Sequence, residues 1–213
     1  MIDEVFDALI IILSFTLFGV LHSYLASLKV KQYLANRLGK HMAFYRIFYN
    51  VISFVMVYFI YDLTPRPDVQ LYSLSTPFDI IIMIPQLLSI VGLLWTLKYF
   101  SGREFLGINQ VFRWFYDEYD TKELDEHLTL RIGGPYKYTR HPIYFFSITL
   151  LLFRAEMNLY YLIFLICIAL YFLIGSIYEE KKLVIMFGDA YSNYQKKVPR
   201  IIPTKLFNPY KTY

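Results

Sequence analysis

Residues 157–178 read MNLYYLIFLICIALYFLIGSIY, a run without Asp, Glu, Lys or Arg. A helix crossing a bilayer needs about 20 mostly apolar residues, because the hydrocarbon core is about 30 Å thick. This run is long enough, and it is apolar all round rather than along one stripe, as a helix facing lipid requires. Residues 8–28 and 80–97 are runs of the same kind. Residues 47–61 form a shorter one, extended by Phe44 and Tyr45, and residues 142–153 one that must borrow polar residues at both ends to cross. The expected fold is an all-α integral membrane protein of about five transmembrane helices. Composition agrees: of 213 residues 57% are hydrophobic and 20% aromatic, with only 18% charged, too apolar for an ordinary soluble domain.

Basic residues set the expected orientation. Nothing before Ala8 is basic, whereas Lys29, Lys31, Arg37, Lys40 and Arg46 follow the first run. Only Arg66 lies between the second and third runs, seven basic residues from Lys98 to Arg140 follow the third, and Arg154 alone precedes the last. Rich and poor segments alternate as five spans require, with the N-terminus outside and the C-terminus cytoplasmic. The net charge of +4 is thus a topology signal before it is an attraction to lipid, and nucleic acid is not an expected partner. Asp3 and Glu4 stand where a signal peptide would be basic, so cleavage is not expected. The single Cys167 makes neither a disulfide framework nor a paired-cysteine metal site, and no metal is expected. Thr64, Pro65, Arg66 and Pro67 read as a rigid loop, Ser101 to Gln110 as a turn near the interface, and Arg154 to Asn158 as a tight turn. Asp117, Glu118, Asp120, Glu123, Asp125 and Glu126 form an acidic run, a solvated surface or a lid.

Two polar stretches carry the chemistry. Gly133-Gly134-Pro135-Tyr136-Lys137-Tyr138-Thr139-Arg140-His141-Pro142-Ile143-Tyr144 leads into the fourth run. Pro142 suits the first turn of a helix and pushes His141 toward an extended backbone, so the ring projects beside the helix start. After the last run come Glu179-Glu180, then Phe187-Gly188-Asp189-Ala190-Tyr191 and Val198-Pro199-Arg200-Ile201-Ile202-Pro203. A short turn between the fourth and fifth helices brings Glu179 and Glu180, at the facing helix end, to the same face as Arg140 and His141. A helix N-terminus favours anions, carboxylates favour cations and hydroxyls, and Tyr136, Tyr138, Tyr144 and Tyr191 offer aromatic faces. S-adenosylmethionine combines a carboxylate, hydroxyls, an aromatic ring and a positive centre. An interfacial aromatic belt with a surface ion pair accounts for the same residues.

The pattern Gly-Pro-Tyr-x-Tyr-x-Arg-His-Pro-x-Tyr, followed by Glu-Glu, Phe-Gly-x-x-Tyr and Val-Pro-Arg-x-Ile-Pro, resembles the isoprenylcysteine carboxyl methyltransferase superfamily. Leu21-His22-Ser23, Tyr45-Arg46, Tyr49-Asn50 and Gly107-Ile108-Asn109-Gln110 resemble its NnrU-like and methanethiol S-methyltransferase branch. Where the superfamily commonly has glycine two residues after the motif's last tyrosine, this chain has Phe146. The resemblance implies a membrane methyltransferase, with S-adenosylmethionine contacted by Gly134, Pro135, Tyr136, Tyr138, His141, Tyr144, Glu179 and Glu180. Tyr191 and Arg200 would order the tail over that site, and Arg140 is a candidate for the cofactor carboxylate. No Rossmann glycine fingerprint is present.

The chain is expected to be one domain. Residues 1–100 would face the methyl acceptor, 101–140 would connect, and 141–213 would hold the cofactor. His22, Arg46, Asn50 and Gln110 are polar and near the predicted membrane level, which makes them acceptor-side catalytic candidates. A small thiol is the expected acceptor. A prenylcysteine carboxylate or phospholipid amine, a non-catalytic NnrU-like accessory role and an NADPH-dependent membrane reductase are the alternatives. The last fits poorly, since a 2′-phosphate favours a basic cluster over Glu179-Glu180.

Overall fold

The structure is a computed structural model that describes residues 2–67, 69–122, 124 and 129–210. It is mostly helical, in two compact units: Met1–Arg66 with Ser101–Thr129, and Pro67–Phe100 with Leu130–Tyr213. Glu123, Asp125 and Glu126 of the acidic run lie outside the described residues.

The first unit begins with α1 (Ile2–Ala26), which ends two residues short of the end of the apolar run at 8–28. Ser27 then caps α2 (Leu28–Leu38), its hydroxyl accepting from the Val30 amide, which satisfies one of the donors a helix start leaves open. A 3-10 turn (Gly39–Phe44) leads into α3 (Tyr45–Leu63), which packs on α1. The segment read as an interfacial turn is instead two short helices, α5 (Gly102–Leu106) and α6 (Ile108–Phe115), meeting at Gly107. Ser101 caps the first, and a Glu104–Arg113 ion pair at 2.6 Å joins the two. Ala35, Met42, Ala43, Tyr45 and Tyr119 form one buried cluster of this unit, and Ile11, Phe15, Phe18 and Ile60 are buried along α1 and α3.

In the second unit, α4 (Phe78–Leu97) continues through Pro85. It packs along α7 (Pro142–Leu152), which packs on α8 (Leu159–Phe187), and α8 on α9 (Asp189–Lys197). Gly92 explains how closely α4 and α7 approach. A Cβ there would lie 2.3 Å from the Phe146 ring, so the missing side chain on α4 accommodates the phenylalanine that replaces the superfamily's usual glycine on α7. The expected tight turn contains β2 (Glu156–Asn158), which pairs in a small antiparallel ribbon with β1 (Gln70–Ser73), just after the expected loop. Two short extended segments satisfy each other's backbone groups there, and no hydrophobic periodicity announces such a pairing.

Among the described residues, four helical stretches are long and apolar enough to cross a membrane: Ile2–Ala26, Leu28–Leu63, Phe78–Leu97 and Leu159–Phe187. Leu13, Leu17, Val20, Ile81, Leu88, Val91 and Leu170 are exposed along them, the all-round apolar surface that lipid covers. The shorter α7 has 11 residues, about 16 Å at the usual helical rise.

Candidate functional site

The two polar stretches meet inside the second unit. Gly134, at φ 54°, opens a 3-10 turn (Gly134–Lys137), and a Cβ on it would lie 2.2 Å from the Tyr99 ring. Only glycine tolerates both that backbone and that neighbour. Pro135 and Tyr136 are buried in the turn, and Tyr138 lies near Trp95, ring centroids 6.2 Å apart. The chain then pairs with the tail: the Arg140 amide donates to Pro199 O at 2.9 Å and the His141 amide to Arg200 O at 3.0 Å. Thr139 Oγ1 adds contacts to the Arg200 and Ile201 carbonyls at 2.9 and 2.7 Å.

Glu180 is the hub. Its Oε1 accepts from Arg140 Nε at 2.7 Å and faces His141 Nε2 at 3.1 Å. Its Oε2 accepts from Arg140 Nη2, Gln195 Nε2 and Arg200 Nη2 at 3.1, 3.0 and 3.2 Å. The side chain is 3% exposed. Arg140 Nη1 also donates to Gln195 O and Val198 O, both at 2.7 Å. One carboxylate and two guanidinium groups thus fasten α8, the start of α7 and the tail together. Removing one partner of such a buried set is far more damaging than the set itself is stabilising.

Glu179 is different. Its side chain is 48% exposed, with Oε2 accepting from Tyr144 Oη at 3.0 Å and lying 3.5 Å from His141 Nδ1. Both imidazole nitrogens therefore face carboxylate oxygens. Burial lowers the His141 pKa, but the hydrogen bonds and charges of Glu179 and Glu180 outweigh it and raise the value above 6.5. The ring lies parallel to Tyr144 (centroids 5.1 Å, 1°), and Tyr144 lies parallel to Phe172 (4.6 Å, 7°). Three rings in series stand beside the exposed carboxylate.

The expected residues thus separate. Glu179 and the partly buried Tyr144 form the accessible edge, whereas His141 lies buried behind them and Arg140 and Glu180 are buried together. Tyr191, expected at the cofactor, is 3% exposed in a cluster with Tyr194 and Val198, where burial raises the pKa of both phenols. Tyr194 Oη donates to Tyr136 O at 2.5 Å, locking α9 to the turn. The two glutamates also do not stand at a helix end, because α8 continues to Phe187. Phe172, Gln195 and Tyr99 were not among the sequence candidates. Phe172 had a legible signal: it lies seven residues before Glu179, two turns along one face of α8.

The acceptor-side candidates lie in the first unit. His22 Nδ1 is 2.9 Å from Ser53 Oγ, and Tyr49 Oη bonds His22 Nε2. Since the Ser53 hydroxyl donates to Tyr49 O at 2.6 Å, it accepts from His22. The imidazole therefore carries its proton on Nδ1, and Nε2 accepts from Tyr49. Arg46 Nε and Asn50 Nδ2 both donate to Phe105 O, at 2.9 and 2.8 Å, and Gln110 Nε2 donates to Glu104 O at 3.2 Å. Arg46, Asn50 and Gln110 thus share the 104–105 backbone, and His22 has its own partners. Ser53 was missed, although it lies four residues after Tyr49 on the same helix face. No group of side chains able to hold a metal occurs among the described residues.

Curated proteins named methanethiol S-methyltransferase match part of this chain. That of Pseudomonas deceptionensis is 40% identical over 74 residues, 35% of this chain and 28% of the relative. That of Crocosphaera subtropica is 31% identical over 102 residues, 47% of this chain and 37% of the relative. Methanethiol S-methyltransferase 1 of Bradyrhizobium diazoefficiens is 35% identical over 68 residues, 32% and 24% of the two chains. The matches thus span 24% to 37% of these relatives' length, and the resemblance to the methanethiol branch is borne out over that part. No protein-family model matches the chain, and no solved structure does.

Proposed function

We propose that this chain is an integral membrane methyltransferase that moves the methyl group of S-adenosylmethionine to a small thiol such as methanethiol. The observation that carries the reading is the series of His141, Tyr144 and Phe172 rings beside the half-exposed Glu179 carboxylate. Its chemistry fits the donor. Glu179 suits a hydroxyl or ammonium group, the stacked rings suit an aromatic base or a sulfonium, and the start of α7 suits a carboxylate. Similarity to proteins named methanethiol S-methyltransferase supports the thiol.

In this reading His141, Tyr144 and Glu179 touch the cofactor. Gly134, Pro135, Tyr136 and Tyr138 shape its wall, while Arg140, Glu180 and Tyr191 hold that wall against the tail. The cofactor supplies a methyl group already activated on a positive sulfur, so the protein's task is chiefly to position the reactants. The acceptor must become a thiolate, which the positive charge of Arg46 favours. His22 reaches a proton through the Tyr49 hydroxyl bonded to its Nε2, and Asn50 and Gln110 complete the acceptor side. The expected topology of five spans, with the N-terminus outside and the donor residues cytoplasmic, would place them where S-adenosylmethionine is made. Residues 1–100 would serve the acceptor and 141–213 the donor.

The test is direct. Purified protein in lipid nanodiscs is given methyl-labelled S-adenosylmethionine with methanethiol, longer thiols, prenylcysteines or phospholipids. Label is expected in dimethyl sulfide. Transfer only to prenylcysteine or lipid would replace the acceptor, and absence of S-adenosylhomocysteine binding would remove the reading altogether.

A further inference from the structure

The face that α6 turns outward is the wrong one for a helix in water. Ile108, Val111, Phe112 and Phe115 recur at i, i+3, i+4 and i+7, the spacing that puts them along one side of a helix. On a soluble surface that stripe would turn inward. Here Phe112 and Phe115 are 51% and 70% exposed, and Phe105, Leu106 and Tyr116 are exposed with them. The opposite side of α6 carries Gln110 and Arg113, and these residues turn inward: Gln110 is 4% exposed, and Arg113 pairs with the buried Glu104. Polar groups make the inner face and phenylalanines the outer one. A contiguous apolar patch of this kind marks an interaction surface.

The backbone points to the same surroundings. The last carbonyls of a helix have no intrahelical partner and are commonly left to water. At the end of α5 three of them find donors within the protein. The Gly107 amide serves Arg103 O and Glu104 O, Gln110 Nε2 serves Glu104 O, and Arg46 Nε and Asn50 Nδ2 both serve Phe105 O. Such internal satisfaction is what a lipid environment requires, since hydrocarbon offers no hydrogen bonds. The same bonds fix the level. Arg46 and Asn50 lie in the first two turns of α3, just where its apolar surface begins with the exposed Phe48, Val51 and Phe54.

We propose that α5 and α6 form an interfacial element bound to the bilayer itself, lying along its surface with Phe112 and Phe115 among the phospholipid acyl chains and the polar side held against the protein. Phospholipid is the occupant because the apolar face continues, at the level fixed by Phe105 O, the surface that lipid covers on α3. Exposed Arg103 at the start of α5 suits the headgroup phosphates. Residues 101–116 thus belong to the membrane part of the protein rather than to a solvated connector.

The test uses the full-length protein in phospholipid nanodiscs. On a Cys167→Ser background, a nitroxide label is attached in Phe112→Cys, in Phe115→Cys or, as a solvated reference, in Asp120→Cys. Labels on the first two should be relaxed more by oxygen than by a water-soluble nickel chelate, at a depth of roughly 5–10 Å below the phosphates. The label in Asp120→Cys should show the reverse. For a reading free of substitutions, wild type is irradiated with a phospholipid carrying a diazirine in its acyl chain, and adducts are mapped by mass spectrometry. They are expected on residues 105–116 as well as on α3. Nickel access in Phe112→Cys and Phe115→Cys equal to that in Asp120→Cys overturns the proposal, as do adducts on α3 with none on 105–116. Exclusion of both reagents overturns it too: with spin–spin broadening the face belongs to a second copy of the chain, and without it to packed protein.

Discussion

Glu179 and Glu180 are adjacent in sequence but should respond very differently to truncation. Glu180→Ala removes the acceptor for Arg140, His141, Gln195 and Arg200 at once, and the Arg140 side chain, 9% exposed, stays buried without its carboxylate. Breaking a buried pair in this way costs about 3–5 kcal/mol. Glu179→Ala removes a half-exposed carboxylate that accepts from Tyr144, worth about 0.5–1.5 kcal/mol as a hydrogen bond. For a chain of this length each kcal/mol moves the melting temperature by about 2–4 °C, so Glu180→Ala should melt roughly 6–20 °C lower and Glu179→Ala roughly 1–6 °C lower than wild type. Thermal unfolding in detergent, read by tryptophan fluorescence with limited proteolysis of the tail, measures both. S-adenosylhomocysteine calorimetry on the folded Glu179→Ala protein should show binding lost. Equal melting temperatures for the two variants, or full binding by Glu179→Ala, would refute the division between a buried fastener and an exposed ligand.

Other perturbations follow from the same geometry. Gly92→Ala places a methyl against the Phe146 ring and should destabilise by about 1–3 kcal/mol; adding Phe146→Ala should restore most of it, as a double-mutant cycle of melting temperatures measures. His141 has a folded-state pKa raised above 6.5, so its charge contributes stability fully present below pH 6.5 and lost as pH rises through the folded value. Wild type should therefore lose stability relative to His141→Gln across that rise in a thermal series. Ser53→Ala leaves the His22 Nδ1 proton without its acceptor and should slow single-turnover methylation roughly tenfold at unchanged S-adenosylhomocysteine affinity; an unaltered rate removes His22 from the acceptor side.

The long apolar runs were legible because spanning length and charge absence are properties of contiguous sequence. The observed helices Tyr45–Leu63 and Phe78–Leu97 cover the runs at 47–61 and 80–97 closely, and Leu159–Phe187 covers all but the first two residues of the run at 157–178 and continues nine residues beyond it. The pairing of Arg140 and His141 with Glu180 was legible too, since a tight turn forces α7 and α8 into a hairpin. Which carboxylate would be buried was not. That depends on Arg200 and Gln195 arriving from the tail onto one rotational face of α8, and adjacent residues on a helix point about 100° apart. The β1–β2 ribbon and the Gly92–Phe146 contact escaped for a related reason, because each is a pairing of distant segments whose own sequences are unremarkable. Gln110 was nominated for its polarity alone, and its inward place on α6 emerges only once Glu104 O takes the amide.

The tail's backbone pairing with Arg140 and His141 also orders events in time. The wall beside His141 includes the carbonyls of Pro199, Arg200 and Ile201, some 60 residues later in synthesis. A nascent chain still held at the ribosome before those residues emerge has its apolar helices but no closed donor wall. On the methyl-donor reading, donor binding would thus begin only after residues 199–201 have emerged, so termination before them would yield inserted but inert protein rather than a partially active one.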